Sequence, residues 1–241
     1  MKEYLEKYQL VLMGLVLALG LIFAVKVGTS AMSKNSISVT GSAYEIVKSD
    51  SGSMDLTLNV RKTTKALALQ AAKKQLPSIL AYLKSKNFKD EDIDVKAASG
   101  YFSYKITAGG ASTNEIAYYN LTQTISVKSN DVKAIKDISL NVQSLADKGI
   151  DIDATQVQYS YSKLSDLKVK LLGEATKDAK QRASAMLKAT HNRAGKIQSV
   201  QMGVFQITPV DSTDVSDSGI SDTSTIDKKV TSVANVVFQI K

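Results

Sequence analysis

The chain has 241 residues, a formal net charge of +8, no Cys, no Trp, two Pro and one His. Without cysteine there is no disulfide framework, no thiol nucleophile, no lipid attachment through Cys and no thiolate metal site. The positive charge sits mostly on lysines scattered along the chain, with only Arg61, Arg182 and Arg193 beside them. Nucleic-acid modules interleave Arg with aromatics, so no nucleic-acid partner is expected, while an anionic envelope polymer remains open.

The first element is apolar. Residues 10–25 read L-V-L-M-G-L-V-L-A-L-G-L-I-F-A-V without a charge, enough as a helix for about 24 Å of a ~30 Å hydrocarbon core. Tyr8 stands where an interfacial aromatic anchors, and Lys26 can snorkel so that Val27 counts. Thr29, Ser30 and Ala31 offer a small-residue cleavage site, yet the preceding flank is barely basic, because Glu3 and Glu6 offset Lys2 and Lys7. A cleaved signal peptide and an uncleaved signal anchor both fit. The reading adopted is a flank at 1–9, a single-pass transmembrane anchor at 10–27 and a polar tether at 28–36. The rest then lies outside the cytoplasm, in the periplasm or at the cell surface.

Period-two alternation predicts strands over 37–43 and 54–61, with Asp50, Ser51 and Gly52 as the turn between them. Over 63–86 apolar residues return every three or four positions (Leu69, Ala72, Leu76, Ile79, Leu80, Leu83), as on a helix packed by one face. Pro77 should kink or divide that helix. Strands follow near 92–95, 101–106 and, after a flexible loop at 108–112, 118–128. Asn130 or Asp131 caps a helix whose stripe is Val132, Ile135, Ile138, Val142 and Leu145 and whose stop is Gly149. A strand at 152–160, a long helix at 162–189 and strands at 196–207 and 230–240 complete the pattern. Together they predict an α+β fold of antiparallel or mixed sheets with about three helices after the anchor. The Ser/Thr/Asp-rich stretch 211–227, inside a flexible loop at 208–229, reads as too polar to pack. L-T-L-N-V and Q-T-I-S-V, each preceding a helix and then an Asp-Ile-Asp strand entry, echo one another as two related strand–helix–strand halves would.

Several stretches resemble the SIMPL-domain family of periplasmic immunogenic and oxidative-stress-defence proteins. They are I-S-V-T-G-S-A at 37–43, M-D-L-T-L-N-V at 54–60, L-K-S-K-N-F-K-D-E-D-I-D-V at 83–95 and A-Y-Y-N-L-T-Q-T-I-S-V-K at 117–128, with Ala117 where the family usually has Gly. The clearest is G-E-A-T-K-D-A-K-Q-R-A at 173–183, and the resemblance covers 36–241. It implies a secreted or membrane-attached protein, ring-like homo-oligomers and a link to stress defence, and it brings no catalytic residues. The 211–227 stretch and the Gly109-Gly110 insertion depart from the family pattern.

The residues nominate no catalytic centre, cofactor or metal ligand. His191 sits in A-T-H-N-R-A-G at a helix C-terminus, where it suits the helix dipole, with no nucleophile or orienting group beside it. Asp90, Glu91, Asp92 and Asp94, and likewise Asp151 and Asp153, straddle apolar residues at strand entries and lack the Gly and final Glu of a calcium loop. Asp211, Asp214, Asp217 and Asp222 are loosely spaced. The row Ala175, Ala179, Ala183 permits close approach of another element, from the same chain or from a second subunit. The apolar run V-A-N-V-V-F-Q-I at 233–240 is either a central strand or an edge paired by a second copy. The expected function is therefore non-enzymatic, an envelope-facing anchored protein acting through self-assembly and binding. The alternative is a hydrolase or glycan-binding protein using paired carboxylates, which needs two buried acids facing across a cleft at roughly 5–10 Å.

Overall fold

Alternation at period two dominates this chain, and the computed structural model, which describes residues 2–32 and 35–241, turns nearly every alternating stretch into a strand. The elements are α1 (Lys2–Met32), β1 (Ser36–Lys48), β2 (Ser51–Lys62), α2 (Lys65–Ser85), β3 (Ile93–Val95), β4 (Ser99–Ile106), β5 (Ser112–Ser129) and α3 (Val132–Asn141). Then follow β6 (Asp151–Ala154), β7 (Gln158–Ser160), α4 (Leu164–Lys188), β8 (Ala194–Met202), β9 (Gln206–Pro209), β10 (Ile220–Ser221) and β11 (Asp227–Ile240). The fold class is α+β, as the sequence implies. Residues 1–42, 172–203 and 233–241 form one unit and 43–171 with 204–232 the other.

In the second unit a six-stranded sheet runs β3-β5-β2-β6, with β4 also on β5 and β7 also on β2. The β2–β5 ladder is antiparallel from Gly52↔Ser129 to Lys62↔Tyr119. β3 pairs antiparallel with β5 and β6 with β2, so each strand–helix–strand half inserts its last strand beside the first strand of the other half. This is the split β-α-β-β-α-β arrangement. The two echoing sequences are its central strands, β2 and β5. Met54, Leu56, Leu58 and Val60 of β2 point to one face with Leu121, Ile125 and Val127 of β5. Ala72, Ile79 and Leu83 of α2 and Ile135 and Ile138 of α3 close that core. Fully burying each Leu or Ile contributes about 1.5–3 kcal/mol.

Local signals behave as their chemistry requires. Thr64 caps α2 by accepting the Leu67 N–H, and Asp131 caps α3 by accepting the Lys133 and Ala134 N–H groups. Gly149, at φ 71°, ends the following 3-10 segment in the left-handed region.

Five expectations need correction. Of the two outcomes expected of Pro77, kink or division, division is overturned: α2 is one continuous helix, because the buried stripe on either side of Pro77 holds it despite one missing N–H. The helix expected through 145 becomes a 3-10 segment from Val142 onwards. The expected strands 152–160 and 196–207 are each broken in two. The turn expected at 50–52 is shorter, since Ser51 and Gly52 already belong to β2. β1 belongs to the five-stranded sheet and β2 to the six-stranded one, so that turn carries the chain between sheets. The 208–229 segment is no bare loop, and its packing is described below.

In the first unit, 233–240 of β11 lies between β1 and β8, with Val236↔Val200 and Phe238↔Ile197 in the antiparallel β8 register. Its apolar run is therefore that of a central strand, and the edge alternative falls. Ala175, Ala179 and Ala183 are fully buried. A Cβ on Gly41 would overlap the backbone of Ala175 and Ala179, so the small row brings α4 onto β1 of its own chain. Asp178 fixes the approach by accepting the Ser42 N–H at 2.8 Å. In the second unit, Val47, Leu167, Leu171, Ile207 and Val230 form a separate apolar cluster.

Among the described residues no helix is long and apolar enough to cross a membrane. The expected anchor at 10–27 falls partly outside them, since the side chains of Leu10, Leu12, Lys26 and Val27 are not described. α1 itself is continuous through Met32, past the start of the expected tether.

Gly41→Ala should destabilise the protein by about 2–3 kcal/mol, as backbone rather than a flexible side chain must yield. Urea unfolding reads this as a lower midpoint at unchanged m-value.

Candidate functional site

Period two buries one face of the six-stranded sheet under α2 and α3 and sends the alternate residues to the other. That outer face carries Asp55, Thr57, Asn59 and Arg61 from β2, paired with Ser126, Thr124, Thr122 and Asn120 of β5. The neighbouring β6 adds Asp153 beside Thr57 and Asp151 beside Asn59. The face is wired together. Ser126 Oγ donates to Asp55 Oδ1 at 2.6 Å, Asn59 Nδ2 to Asp153 Oδ2 at 2.7 Å and Arg61 Nε to Asn120 Oδ1 at 3.2 Å. The Arg61 guanidinium lies 4.4 Å over the Tyr118 ring.

A cleft of about 400 Å³ opens at one end of this face, where Asp55, Glu91, Asp92, Asp94, Ser126 and Lys128 meet. Of the first predicted acid cluster, three members thus line a common cleft with an unpredicted fourth acid, Asp55. Within the predicted cluster, Asp90, Glu91 and Asp92 have cation or backbone partners. Asp90 pairs with Lys84 at 2.7 Å, Glu91 with Lys89 at 3.4 Å, and Asp92 accepts the Lys89 N–H at 3.0 Å. Asp151 and Asp153 line a second recess with Arg61 and Tyr101. Among the described residues no group of three or more His, Asp or Glu is placed to hold a metal ion, and Asp222, whose side chain is 7 % exposed, faces Lys228 and not a second acid. The facing pair of buried acids that the hydrolase alternative requires is not formed there.

Beyond Lys62 the β5 strand loses its β2 neighbour and continues with β4 alone. The result is a two-stranded arm closed by a turn at Thr107–Ala111, with Gly110 at φ 84°. Phe102 ties its base to Tyr119 edge-to-face at 4.8 Å. Tyr101, Tyr104, Ile106 and Ile116 are exposed, Ile106 at 72 %. The sequence reading identified the strands and missed the arm, because exposure cannot be read from alternation.

His191 sits just past the end of α4 at φ 60°, exposed, with its N–H on the Lys188 carbonyl. It lines a surface pocket with Lys188, Asn192 and Arg193.

The polar 211–227 stretch packs. β10 pairs parallel with β9, Gln206 Nε2 donates to the Ser216 carbonyl at 2.7 Å, and the Tyr159 N–H donates to the Thr223 carbonyl at 2.7 Å. At its centre the Asp222 and Lys228 side chains are 7 % and 3 % exposed, 3.5 Å apart. Lys228 Nζ also donates to the Asp222 carbonyl at 2.7 Å. Burial by itself raises the Asp222 pKa. Hydrogen bonds from Thr225 Oγ1, Ser224 Oγ and the Ser224 N–H, together with Lys228, outweigh it and bring the value down to about 2. Burial lowers the Lys228 pKa, with Asp222 opposing. Asp211, Asp214 and Asp217 remain exposed. Composition made this stretch look unable to pack, yet it is held by polar partners and by Ile226, which packs against the main core.

The family model for SIMPL, a protein of unknown function (DUF541), matches residues 37–238. The chain belongs to the SIMPL family. The match takes in both units and starts after α1, so the sheet face, arm and packed polar segment are all parts of the SIMPL domain. No curated protein matches the chain. Among solved structures, one from methicillin-resistant Staphylococcus aureus, provisionally described as an aminohydrolase, is 13% identical with a TM-score of 0.24. That match covers 58% of this chain and 39% of the other. A likeness that low carries no argument about this SIMPL protein's activity.

Asp222 binds its proton less readily in the folded chain than its ordinary value of 3.8, so it stabilises the fold above about pH 4. That contribution, about 2 kcal/mol, is lost as pH falls from about 4 towards 2. Asp222→Asn should remove this part of the acid dependence and, by leaving Lys228 buried without its counter-charge, cost about 3 kcal/mol at pH 7. Urea unfolding of both proteins from pH 7 to 2 measures the difference.

Proposed function

We propose that this SIMPL protein is a non-catalytic, extracytoplasmic module, held to a membrane by α1 and working through self-assembly of its β4–β5 arm. The observation that carries the assembly is the arm itself. A two-stranded ribbon is only marginally stable in water, and this one exposes Tyr104, Ile106 and Ile116 at 47, 72 and 48 %. Apolar side chains on a projecting ribbon gain by being covered, and a second copy supplies an identical, complementary ribbon through a two-fold contact. A place in envelope or oxidative stress defence belongs to the same reading and rests on family resemblance alone.

The anchor reading is supported by the uncharged run at 10–25 and by the exposure of Val11, Leu15, Leu17, Leu19, Ile22 and Phe23 of α1 to between 57 and 70 %. A helix apolar on every side has no stable place in water. The 16-residue run is slightly short for a full hydrocarbon core, a mismatch that local thinning and the snorkelling of Lys26 accommodate.

A second reading has its own observation. The Thr, Asn, Asp, Arg and Tyr side chains on the outer sheet face suit a hydroxyl-rich glycan of the envelope, with Tyr101 offering a stacking surface.

The full-length protein in detergent should scatter light as an oligomer, and Tyr104→Ser with Ile106→Ser should reduce it to one protein copy per micelle without lowering its melting temperature by more than a few degrees. A wild-type monomer at high micromolar concentration overturns the assembly reading. Carbonate extraction of membranes tests the anchor: release of the intact chain overturns it. Binding of soluble peptidoglycan fragments by calorimetry, abolished by Asn59→Ala with Tyr101→Ala, would favour the glycan reading.

A further inference from the structure

We infer that the corner where α4 turns into β8 is a docking site for the phosphate of anionic lipid headgroups in the membrane that holds α1. This deepens the proposed function and rests on its anchor reading.

The corner lies wholly within the first unit and presents Lys188, His191 and Arg193, all exposed, around one surface pocket. Among the described residues none of the three forms an ion pair. The turn that gathers them is well made. Thr190 Oγ1 donates to the Leu187 carbonyl at 3.1 Å and the Asn192 N–H to the same carbonyl at 2.9 Å. His191 takes the left-handed conformation there, and Lys188 and Arg193 line the same pocket.

Connectivity places this corner near the exit of α1. The Ile240 N–H donates to the Asn35 carbonyl at 2.8 Å. Arg193 and Lys241 exchange both backbone hydrogen bonds, at 2.7 and 2.9 Å. Arg193 is thus two strand spacings, about 10 Å, from Asn35. Asn35 is three residues beyond Met32, where α1 ends, a gap of at most about 10 Å. α1 runs about 8 Å beyond Val27, the last residue of the anchor. Arg193 therefore lies within roughly 28 Å of the point where the anchor leaves the hydrocarbon, and a domain resting on the membrane brings its side chain to the headgroup layer.

Charge points the same way. The sequence has no acidic residue between Asp178 and Asp211, between Asp227 and Lys241, or between Glu6 and Glu45. The acids of this unit beyond residue 6 are Glu174 and Asp178, ten or more residues before Lys188 on α4 and so at least about 15 Å along its axis. Asp178 is already occupied by the Ser42 N–H and Arg182. Within this unit the corner therefore has cations and no neighbouring acid along its own segments. A phosphodiester there meets Arg193 through two parallel N–H donors, Lys188 as a point charge and an imidazole N–H from His191.

Because the chain has no Cys, Ala189→Cys gives a single labelling site beside the pocket. The full-length protein carrying a fluorophore there is reconstituted into vesicles containing headgroup nitroxide lipid, made from phosphatidylcholine alone or with added phosphatidylglycerol. Quenching should rise with the phosphatidylglycerol fraction and fall at high salt. In the background of Lys188→Gln with Arg193→Gln the apparent affinity should drop about twentyfold, since each cation near an anionic surface is worth roughly fivefold. Equal quenching in both lipids, with the protein floating in both, overturns the docking site and leaves the anchor standing. Failure to float in either overturns the anchor and the docking site together. Inorganic phosphate at low millimolar concentration that abolishes the phosphatidylglycerol-dependent quenching at constant ionic strength overturns the assignment to lipid.

Discussion

The β2–β5 ladder is the constraint on which the rest depends. Eleven consecutive antiparallel pairs fix the register of two strands that both alternate at period two, and a slip by one residue would turn every Leu, Ile and Val of the core outward. Once that register is set, α2 and α3 have one apolar face to cover, and β3 and β6 have one edge each to join. The same register sends Asp55, Asn59 and Arg61 to water together with Thr122, Asn120 and Ser126. The polar surface is thus a by-product of core formation, and its chemistry is set by whatever stands at the alternate positions.

A second constraint is steric. The close contact of α4 with β1 requires Gly at 41 and Ala at 175 and 179. Dispersion gains at such a contact are small per atom and add up only at full packing density. This use of small residues is internal, so the Ala row is not a surface for a second subunit.

The segment 211–227 shows how a polar stretch can be structural. Asp222 collects donors from Thr225, Ser224 and Lys228, and the cost of burying the ammonium is offset by a carboxylate already held by neutral hydroxyls and an N–H. Such a cluster is all or nothing, since removing one member leaves another buried and unpaired. It ties a Ser/Asp-rich stretch to β9 and β11 as firmly as apolar contacts would.

Sequence by itself determined the existence and type of most elements here, because alternation, the 3.6-residue period, Asp131 as a cap and Gly149 as a stop are local properties of the backbone and of neighbouring side chains. It also carried the family, through the order of short motifs. Tertiary structure decided what depends on residues far apart in the chain. It assigned β1 and β2 to different sheets across a two-residue link, made 233–240 a central strand, turned the Ala row inward against Gly41, and buried Asp222 against Lys228. Strand neighbours and burial are set by long-range pairing and by which face another element covers. Neither leaves a mark in the composition of the segment concerned.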